Sequence, residues 1–266
     1  MKETVEFLYK KKVNEPEIGI ILGTGLGKLV DEVEIEIVID YSEIPNYPIA
    51  TVEFHSGKLV FGKLGGKQVV VMQGRFHYYE GYSMQEITFP VRVLKQLGIN
   101  YLLISNAAGA MNLEFKKGSL MLIDDHINIL PENPLCGQNF EELGPRFPDM
   151  SQPYSVELNQ KLIKVAKKNN IVLKKGVYVC VQGPNLETRA EYRYLHAAGA
   201  DVVGMSTVPE VIVANHMNIP CVAISVITDE CDPNNLIPID ISEIIAVAGE
   251  AEKDLIMLFK KLINEL

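Results

Sequence analysis

Residues 74–82 (GRFHYYEGY) form the segment best suited to binding and catalysis. This loop follows the apolar run VVVMQ and contains a guanidinium, an imidazole, three tyrosines and a carboxylate. Arg75 can hold phosphate through two parallel charge-assisted hydrogen bonds, and His77 and the more distant His55 can add donors. The alternative is a solvated turn whose tyrosines pack on the core. We predict an anion site that contains Arg75.

A glycine-rich loop, residues 23–27 (GTGLG), follows the apolar run GIIL. Its backbone N–H groups and the Thr24 hydroxyl can receive an anion. The spacing differs by one position from the GxGxxG pattern of dinucleotide-binding proteins, and a need for tight turns would explain the glycines equally well. By itself this loop is a weak indication of phosphate binding.

Four further apolar runs end in residues that can contact a ligand. The small side chains of residues 106–109 (NAAG) let a ligand approach the backbone, although close packing would explain them equally well. Ser206, in MSTVPE, can donate a hydrogen bond to an anion. Glu187, in GPNLET, and Asp229, in TDE, supply carboxylates, which in loops are more often caps or solvated groups than catalytic ones.

Other catalytic arrangements are not found in the sequence. It has no recognisable nucleophile elbow with Ser, His and Asp, and no HExxH or paired-cysteine spacing typical of a metal site. A reaction in which phosphate is the nucleophile needs neither. We therefore expect no bound metal.

These polar groups are positioned by short apolar runs that end abruptly in Gly or a small polar residue. Such runs, rich in Val and Ile, are typical of buried strands, and the ligand of an open α/β sheet lies beyond the carboxyl ends of its strands. The six runs are GIIL (19–22), VVVMQ (69–73), YLLIS (101–105), VYVCVQ (177–182), DVVG (201–204) and CVAISVI (221–227).

Helical patterns lie between several of these strands, which indicates an α/β fold with helices flanking the sheet. The predicted helices are 85–97, 155–169, 188–198, 209–217 and 241–264. Asp240 and Glu243 have the spacing of a capping box at the start of the last helix. The stretch 32–73 adds EIEIVIDY and KLVFGKL, with Gly65 and Gly66 as a hairpin turn. We therefore predict a central mixed β-sheet.

Composition and net charge limit the number of domains and the kinds of partner that we expect. Hydrophobic residues are 47% and charged residues 22%, with no shift along the chain, so we predict one domain over residues 1–266. The formal net charge of -9 disfavours nucleic acid and anionic membranes as partners. No apolar run resembles a signal peptide or a membrane span, so we expect a cytoplasmic protein. The four cysteines lack CxxC spacing and are expected to be buried free thiols.

One long segment, residues 131–150, is rich in Pro, Gly, Asn and acidic residues and carries no periodicity. Long loops without secondary structure are usually functional. We predict that this segment is a lid or an interface.

Seven segments together resemble the trimeric class of purine nucleoside phosphorylases over most of the chain. They are LGTGLG, TVEFHSGKLVFG, GRFHYYEGY, NAAGAMN, FPDMS, GPNLETRAE and GADVVGMSTVPEVIVA, in this order. The resemblance implies the single-domain phosphorylase fold and a homotrimer in which residues 131–150 reach a neighbour's ribose pocket. It also implies phosphorolysis of purine (deoxy)ribonucleosides to free base and α-D-ribose 1-phosphate, in purine salvage. Inorganic phosphate would be the co-substrate, and no cofactor is implied.

The resemblance also assigns the candidate site residues. The implied phosphate site consists of Thr24, His55, Arg75, Phe76, His77, Ala107 and Ser206. The implied nucleoside site consists of Tyr79, Leu186, Glu187, Met205, Asp229 and Ile241. Catalytic roles are expected for His77, for Asp229 at purine N7, and for Glu187 on the pyrimidine ring of the base.

The sequence departs from the family pattern at several of these positions. Thr24 stands where Ser is commoner, Asp229 where many members have Asn, and Leu186 and Leu143 where aromatics are common. An ionised carboxylate only accepts hydrogen bonds, whereas an amide also donates, so we predict that Asp229 favours 6-aminopurines. Ile241 stands where many members have a His that reaches the ribose 5′-hydroxyl, so we predict an apolar wall that favours 5′-deoxy or 5′-methylthio groups.

Three other functions are weighed against this one. An S-methyl-5′-thioadenosine phosphorylase shares the fold and the mechanism and differs in the 5′ and base pockets. A nicotinamide-dependent dehydrogenase is suggested by the glycine loop and Asp40, but the loop with Arg75 disfavours it. A non-catalytic nucleoside sensor would have no use for a complete phosphate site. Purine release measured with and without phosphate distinguishes these functions.

Overall fold

The computed structural model describes residues 1–52, 55–238 and 240–266. Its helices are α1 (Lys2–Lys10), α2 (Met84–Gln96), α3 (Val156–Lys168), α4 (Arg189–Ala197), α5 (Val208–His216) and α6 (Ile241–Ile263). Its strands are β1 (Ile18–Ile21), β2 (Glu34–Asp40), β3 (Lys58–Leu64), β4 (Lys67–Gln73), β5 (Tyr101–Ala110), β6 (Leu120–Asn128), β7 (Leu173–Cys180), β8 (Val202–Gly204) and β9 (Cys221–Glu230). The five predicted helices are present, with ends within one residue of those expected.

The strands form one mixed sheet in the order β2-β3-β4-β1-β5-β8-β7-β6-β9. β1 runs parallel to β4 and β5, whereas β3 is antiparallel to β2 and β4. Gly65 and Gly66, with φ of 60° and 79°, make the predicted hairpin turn between β3 and β4, where both central residues need a positive φ. The predicted single-domain α/β fold with a central mixed sheet is confirmed.

Two features of the sheet go beyond the sequence prediction. The strand β6 was not among the predicted strands, because its apolar residues LMLI are followed at once by the polar residues DDH. In addition, β9 pairs with β5 as well as with β6, so that β5, β8, β7, β6 and β9 form a closed ring of strands. These pairings join residues that are far apart in the sequence. The apolar pattern of a strand does not show which strands lie beside it in the sheet.

Helices cover both faces of the sheet. On one face α2 and α5 pack through buried residues such as Val91 and Val211. On the other face α3 and α6 pack through residues such as Leu162, Leu258 and Phe259. A fully buried side chain of this kind contributes roughly 1.5–3 kcal/mol, so the two layers hold the strand ends in fixed positions.

Capping side chains begin several helices, and the capping box predicted for the last helix is present only in part. Ser83 and Thr188 make capping boxes at the starts of α2 and α4. Asp240 caps α6 as predicted, with its Oδ1 accepting from Ser242 N–H at 2.8 Å. The second half of the predicted box is wrong, because the Glu243 carboxylate pairs with Lys117 instead of reaching back to the cap.

The remaining sequence expectations have mixed outcomes. Residues 131–150 contain no helix or strand, as predicted. Cys180, Cys221 and Cys231 are buried free thiols, but Cys136, in that loop, is exposed, so the expectation of burial is wrong there. Within the described part of the chain, no helix is both long and apolar enough to cross a membrane.

Candidate active site

A cavity of about 400 Å³ lies where several strands end. It collects residues that follow β1 and β4, the last part of β5, the residues after β8, and the end of β9. The predicted site residues that line it are Thr24, Arg75, His77, Tyr79, Ala107, Leu186, Glu187, Met205, Ser206, Asp229 and Ile241. His55 and Phe76 are the predicted residues that do not line it.

Among the described residues that line the cavity, Arg75 carries the permanent positive charge. Its side chain is 2% exposed. Its Nη1 donates to Ser206 Oγ at 2.8 Å and to Thr207 Oγ1 at 3.2 Å. Its Nε lies 3.6 Å from Oε1 of the buried Glu210. Among the described residues the buried Nη2 has no hydrogen-bond partner, so the guanidinium is fixed on one side while the donors of Nη2 are unused.

The turn that presents Ser206 is strained. Thr207 has φ 71° and ψ -51°, and Val208 N–H donates to Ser206 O at 2.8 Å, which makes a γ-turn of the rare positive-φ type. Such a conformation costs a β-branched residue roughly 1–3 kcal/mol and is often found at functional sites. The Asn106 amide holds it, since Nδ2 donates to Thr207 Oγ1 at 2.8 Å.

His55 lies behind Thr24 and fixes its hydroxyl. The backbone N–H of Arg75 donates to His55 Nδ1 at 3.1 Å, and Nε2 lies 3.3 Å from Thr24 Oγ1. Burial, with smaller contributions from His77 and Arg75, lowers the pKa of His55 to about 3. The imidazole is therefore neutral near pH 7 with its hydrogen on Nε2, which donates to Thr24 and leaves the Thr24 hydroxyl hydrogen for a ligand.

His77 is held by Glu80 within the same loop. Glu80 Oε1 accepts from the backbone N–H of His77 and from its Nδ1, each at 2.8 Å. Burial alone would raise the pKa of Glu80, but hydrogen bonds from His77 and Thr51 outweigh it and lower that pKa to about 2. With Nδ1 bound, Nε2 is the nitrogen that His77 can offer to a ligand. Tyr79 stacks on the ring at 4.7 Å.

Phe76 has a different place from that implied by the resemblance. Its side chain is 1% exposed and lies in the hydrophobic core, 5.4 Å from the ring of Tyr41 and 5.8 Å from that of Tyr82. Only its backbone can take part in a site. The aromatic side chain anchors the loop between Arg75 and His77.

The far end of the cavity carries carboxylates. Glu187 and Asp229 both line it, and burial raises the pKa of Glu187, with a smaller contribution from the Asp229 charge. Asp229 Oδ1 accepts from Thr228 Oγ1 at 2.9 Å, and its Oδ2 accepts from Cys231 Sγ at 3.0 Å. A neighbouring cavity of about 800 Å³ shares these residues and opens beyond this end.

Sequence reasoning missed several residues of the site. Tyr192 and Cys231 line the cavity beside the carboxylates, and nothing in their sequence context indicates this. Glu210 pairs with Arg75 at 3% exposure, and here a signal existed, because it is the charged residue of an otherwise apolar helix segment, VPEVIVA. Glu80 is visible in the sequence as a carboxylate of the loop, but only the structure shows that it holds His77.

The chain is similar to known proteins over almost its whole length. A profile of the Phosphorylase superfamily matches residues 17–264. Purine nucleoside phosphorylase 1 of Bacillus subtilis (strain 168) is 47% identical over 269 residues, covering 100% of this chain and 99% of the relative. The purine nucleoside phosphorylase of Mus musculus is 44% identical over 269 residues, covering 98% and 93%.

Solved structures agree with these relatives. The crystal structure of Schistosoma mansoni purine nucleoside phosphorylase in complex with adenosine has a TM-score of 0.94 and 42% identity, and the match covers 100% of this chain and 96% of that one. The complex of that enzyme with inosine has a TM-score of 0.94 and 41% identity, covering 100% and 95%.

Proposed function

The chain belongs to the Phosphorylase superfamily, and on that premise we propose a division of its cavity into phosphate, ribose and purine sections. The reaction is phosphorolysis of purine nucleosides, in which inorganic phosphate cleaves the N-glycosidic bond. The products are the free base and α-D-ribose 1-phosphate. The cavity residues of the three sections have different chemistry, and each matches one part of the substrates.

The observation that carries the phosphate section is the buried, oriented guanidinium of Arg75. Ser206 fixes one side of it, and Nη2 remains for an anion. A dianionic phosphate needs several donors to replace its water, and charge-assisted hydrogen bonds are the strongest available. Thr24 supplies a further donor from a neighbouring strand end, and the Ala107 N–H adds another. His77 gives its Nδ1–H to Glu80, so it donates to phosphate through Nε2 in the imidazolium form, in which both ring nitrogens carry hydrogen.

The ribose lies between the phosphate and the base in our proposal. Breaking the glycosidic bond builds positive charge on the sugar, which a phosphate held below the ring stabilises before it attacks C1′. Tyr79 and Met205 line the cavity and are proposed to pack against the sugar. Burial, with a smaller contribution from the Glu80 charge, raises the pKa of Tyr79 to about 12, so its hydroxyl stays protonated near pH 7 and can donate a hydrogen bond.

The base occupies the end with the two carboxylates. Negative charge develops on the leaving purine, and a proton or hydrogen bond at N7 stabilises it. We propose that the ionised Asp229 accepts a hydrogen bond from N7 once N7 has taken a proton from solvent, and another from an amine at position 6. Glu187 contacts the pyrimidine ring in this proposal. The raised pKa of Glu187 increases the fraction that is protonated and able to donate. Because an ionised Asp229 only accepts, it pairs with the exocyclic amine of a 6-aminopurine.

The 5′ end of the sugar faces apolar residues in this proposal. Ile241, half exposed at the first turn of α6, lines the cavity together with Ile244 and Leu186. These side chains can contact a 5′-methylthio group as well as a 5′-hydroxyl. This wall is the observation that keeps S-methyl-5′-thioadenosine phosphorolysis as a second candidate activity.

We also propose an oligomeric state and a cellular location for this chain. We propose the homotrimer that the resemblance implies, in which residues 131–150 contact a neighbouring subunit. Phe147, which is 88% exposed in this segment, is the side chain that we place at that contact. Every proposed step uses the two substrates and side chains of the cavity, so we propose neither a metal nor an organic cofactor. A cytoplasmic role in purine salvage, without nucleic-acid or membrane partners, stays a prediction.

Initial rates of purine release test this proposal. Inosine, adenosine and S-methyl-5′-thioadenosine are each supplied with and without inorganic phosphate, to the unmodified chain, to Arg75→Ala and to the exposed control Arg193→Ala. We expect release that depends on phosphate, is largely lost in Arg75→Ala and is unchanged in Arg193→Ala. Release at the same rate without phosphate would contradict phosphorolysis, and equal loss in both variants would contradict the role of Arg75.

A further inference from the structure

The carboxylate of Asp229 is presented by an irregularity in the sheet. Between β5 and β9 the register shifts, so that Ala108 pairs with Ile227 but Gly109 pairs with Asp229. Thr228 is therefore the extra residue of a β-bulge, a feature that re-aims side chains next to active sites. The bulge brings the Thr228 and Asp229 side chains together at the end of β9.

Each oxygen of this carboxylate accepts a hydrogen bond from a residue at the same end of β9. Thr228 Oγ1 lies 2.9 Å from Oδ1 and Cys231 Sγ lies 3.0 Å from Oδ2. The threonine hydroxyl has a single hydrogen, and Ala108 O, at 3.3 Å, competes for it. The thiol hydrogen of Cys231 is the donor that holds the second oxygen, Oδ2.

Cys231 is itself fixed and protonated. Its backbone N–H donates to Ala110 O at 2.7 Å, and the residue is 2% exposed. Burial, with a further contribution from the Asp229 charge, raises the pKa of the thiol, so it retains its hydrogen near pH 7. The hydroxyl of Tyr192, which is 3% exposed, lies beside both this thiol and Glu187.

The facing strand leaves room for this pair. A Cβ on Gly109 would lie 2.5 Å from Cys231 Sγ and 2.9 Å from Asp229 Oδ2, both closer than real contacts allow. The glycine in the NAAG segment therefore permits the close packing of thiol and carboxylate.

We infer that Cys231 is a positioning residue of the purine section: its thiol holds Asp229 so that a remaining lone pair faces the base, and it thereby contributes to the discrimination between 6-amino and 6-oxo purines. The rotation of a carboxylate about its last bond is otherwise broad, and each oxygen keeps acceptor capacity after one hydrogen bond. The inference rests on the proposed contact of Asp229 with the base.

The test compares kcat/KM for adenosine with kcat/KM for inosine in Cys231→Ala, Cys231→Val and Cys231→Ser. The alanine and valine variants lack the donor, and we expect the adenosine-to-inosine ratio to fall by about three- to tenfold, because the thiol is a weak donor to a charged group. The serine variant keeps a donor and is expected to preserve the ratio. The KM for phosphate should change in none of them.

The same substitutions in an Asp229→Asn background show whether Cys231 acts by positioning Asp229 or whether its replacement disturbs the structure of the site in general. With no carboxylate to hold, Cys231→Ala should leave the ratio of Asp229→Asn within about twofold, which is the non-additivity expected of contacting residues. If Asp229→Asn alone changes the ratio but Cys231→Ala and Cys231→Val do not, the inference is overturned while the base contact stands. If Asp229→Asn leaves the ratio unchanged, the base contact fails and the inference with it.

Discussion

Replacement of Arg75 by alanine removes two interactions that can be measured separately. One is the proposed contact of the two Nη2 hydrogens with phosphate, in which each charge-assisted hydrogen bond is worth about 1.5–3 kcal/mol. Together these amount to about 3–6 kcal/mol. Since about 1.4 kcal/mol corresponds to a factor of ten in rate, we expect kcat/KM for phosphate to fall by about 10²- to 10⁴-fold.

The other interaction is the ion pair with Glu210. The two side chains are 2% and 3% exposed and lie 3.6 Å apart, so Arg75→Ala leaves a buried carboxylate without its cation. Removal of one partner of such a pair costs about 3–5 kcal/mol. We expect the free energy of unfolding to drop by that amount, in addition to the loss of activity.

A second substitution separates the two effects. Glu210→Gln removes the unpaired charge, so the double variant Arg75→Ala/Glu210→Gln should recover most of the lost stability in chemical denaturation. Its kcat/KM for phosphate should stay as low as that of Arg75→Ala. Recovery of activity together with stability would refute the reasoning, because it would show that Arg75 acts by holding the fold rather than by binding phosphate.

Three further predictions concern specificity, protonation and assembly. Asp229→Asn should shift the ratio of kcat/KM values towards 6-oxopurines, because the amide can donate to O6; a strong preference of the unmodified chain for inosine would show that the role given to Asp229 is wrong. His55 should stay neutral down to about pH 4 in a ¹⁵N NMR titration, because its pKa is lowered to about 3. Its folded pKa lies below the unfolded value of about 6.5, so it should lower the unfolding free energy as pH falls from about 6.5 to about 3; protonation near pH 6 would contradict the buried Nδ1 contact. Light scattering should give a trimer mass, and Phe147→Asp should weaken the assembly; a fully active monomer at assay concentration would exclude the trimer.

The elements of this fold were predictable where local signals determine them. Helix ends were placed within one residue because the apolar periodicity of each helix is clear and stops abruptly at its ends. The caps of α2 and α4 by Ser83 and Thr188 are local signals of the same kind, which the sequence prediction did not use. Strands buried on both faces were visible as apolar runs. The pairing of β9 with β5 was not predictable, because the residues that pair are more than a hundred positions apart and any apolar strand offers the same hydrogen-bonding groups.

The candidate site, like the fold, was predictable only where local signals determine it. The rule that ligands lie beyond strand ends brought Thr24, Arg75 and Asp229 together correctly in one cavity. Tyr192 and Cys231 could not be found in this way, because their positions depend on a register shift and on the packing of a helix. These are consequences of tertiary contacts that no short segment encodes.

The chemical fate of phosphate tests the central claim most directly. ³¹P NMR of the chain with adenosine or inosine and inorganic phosphate should show the phosphate signal being replaced by that of α-D-ribose 1-phosphate, one for each purine released. Purine release that yields free ribose while the phosphate signal stays unchanged would contradict phosphorolysis at this cavity.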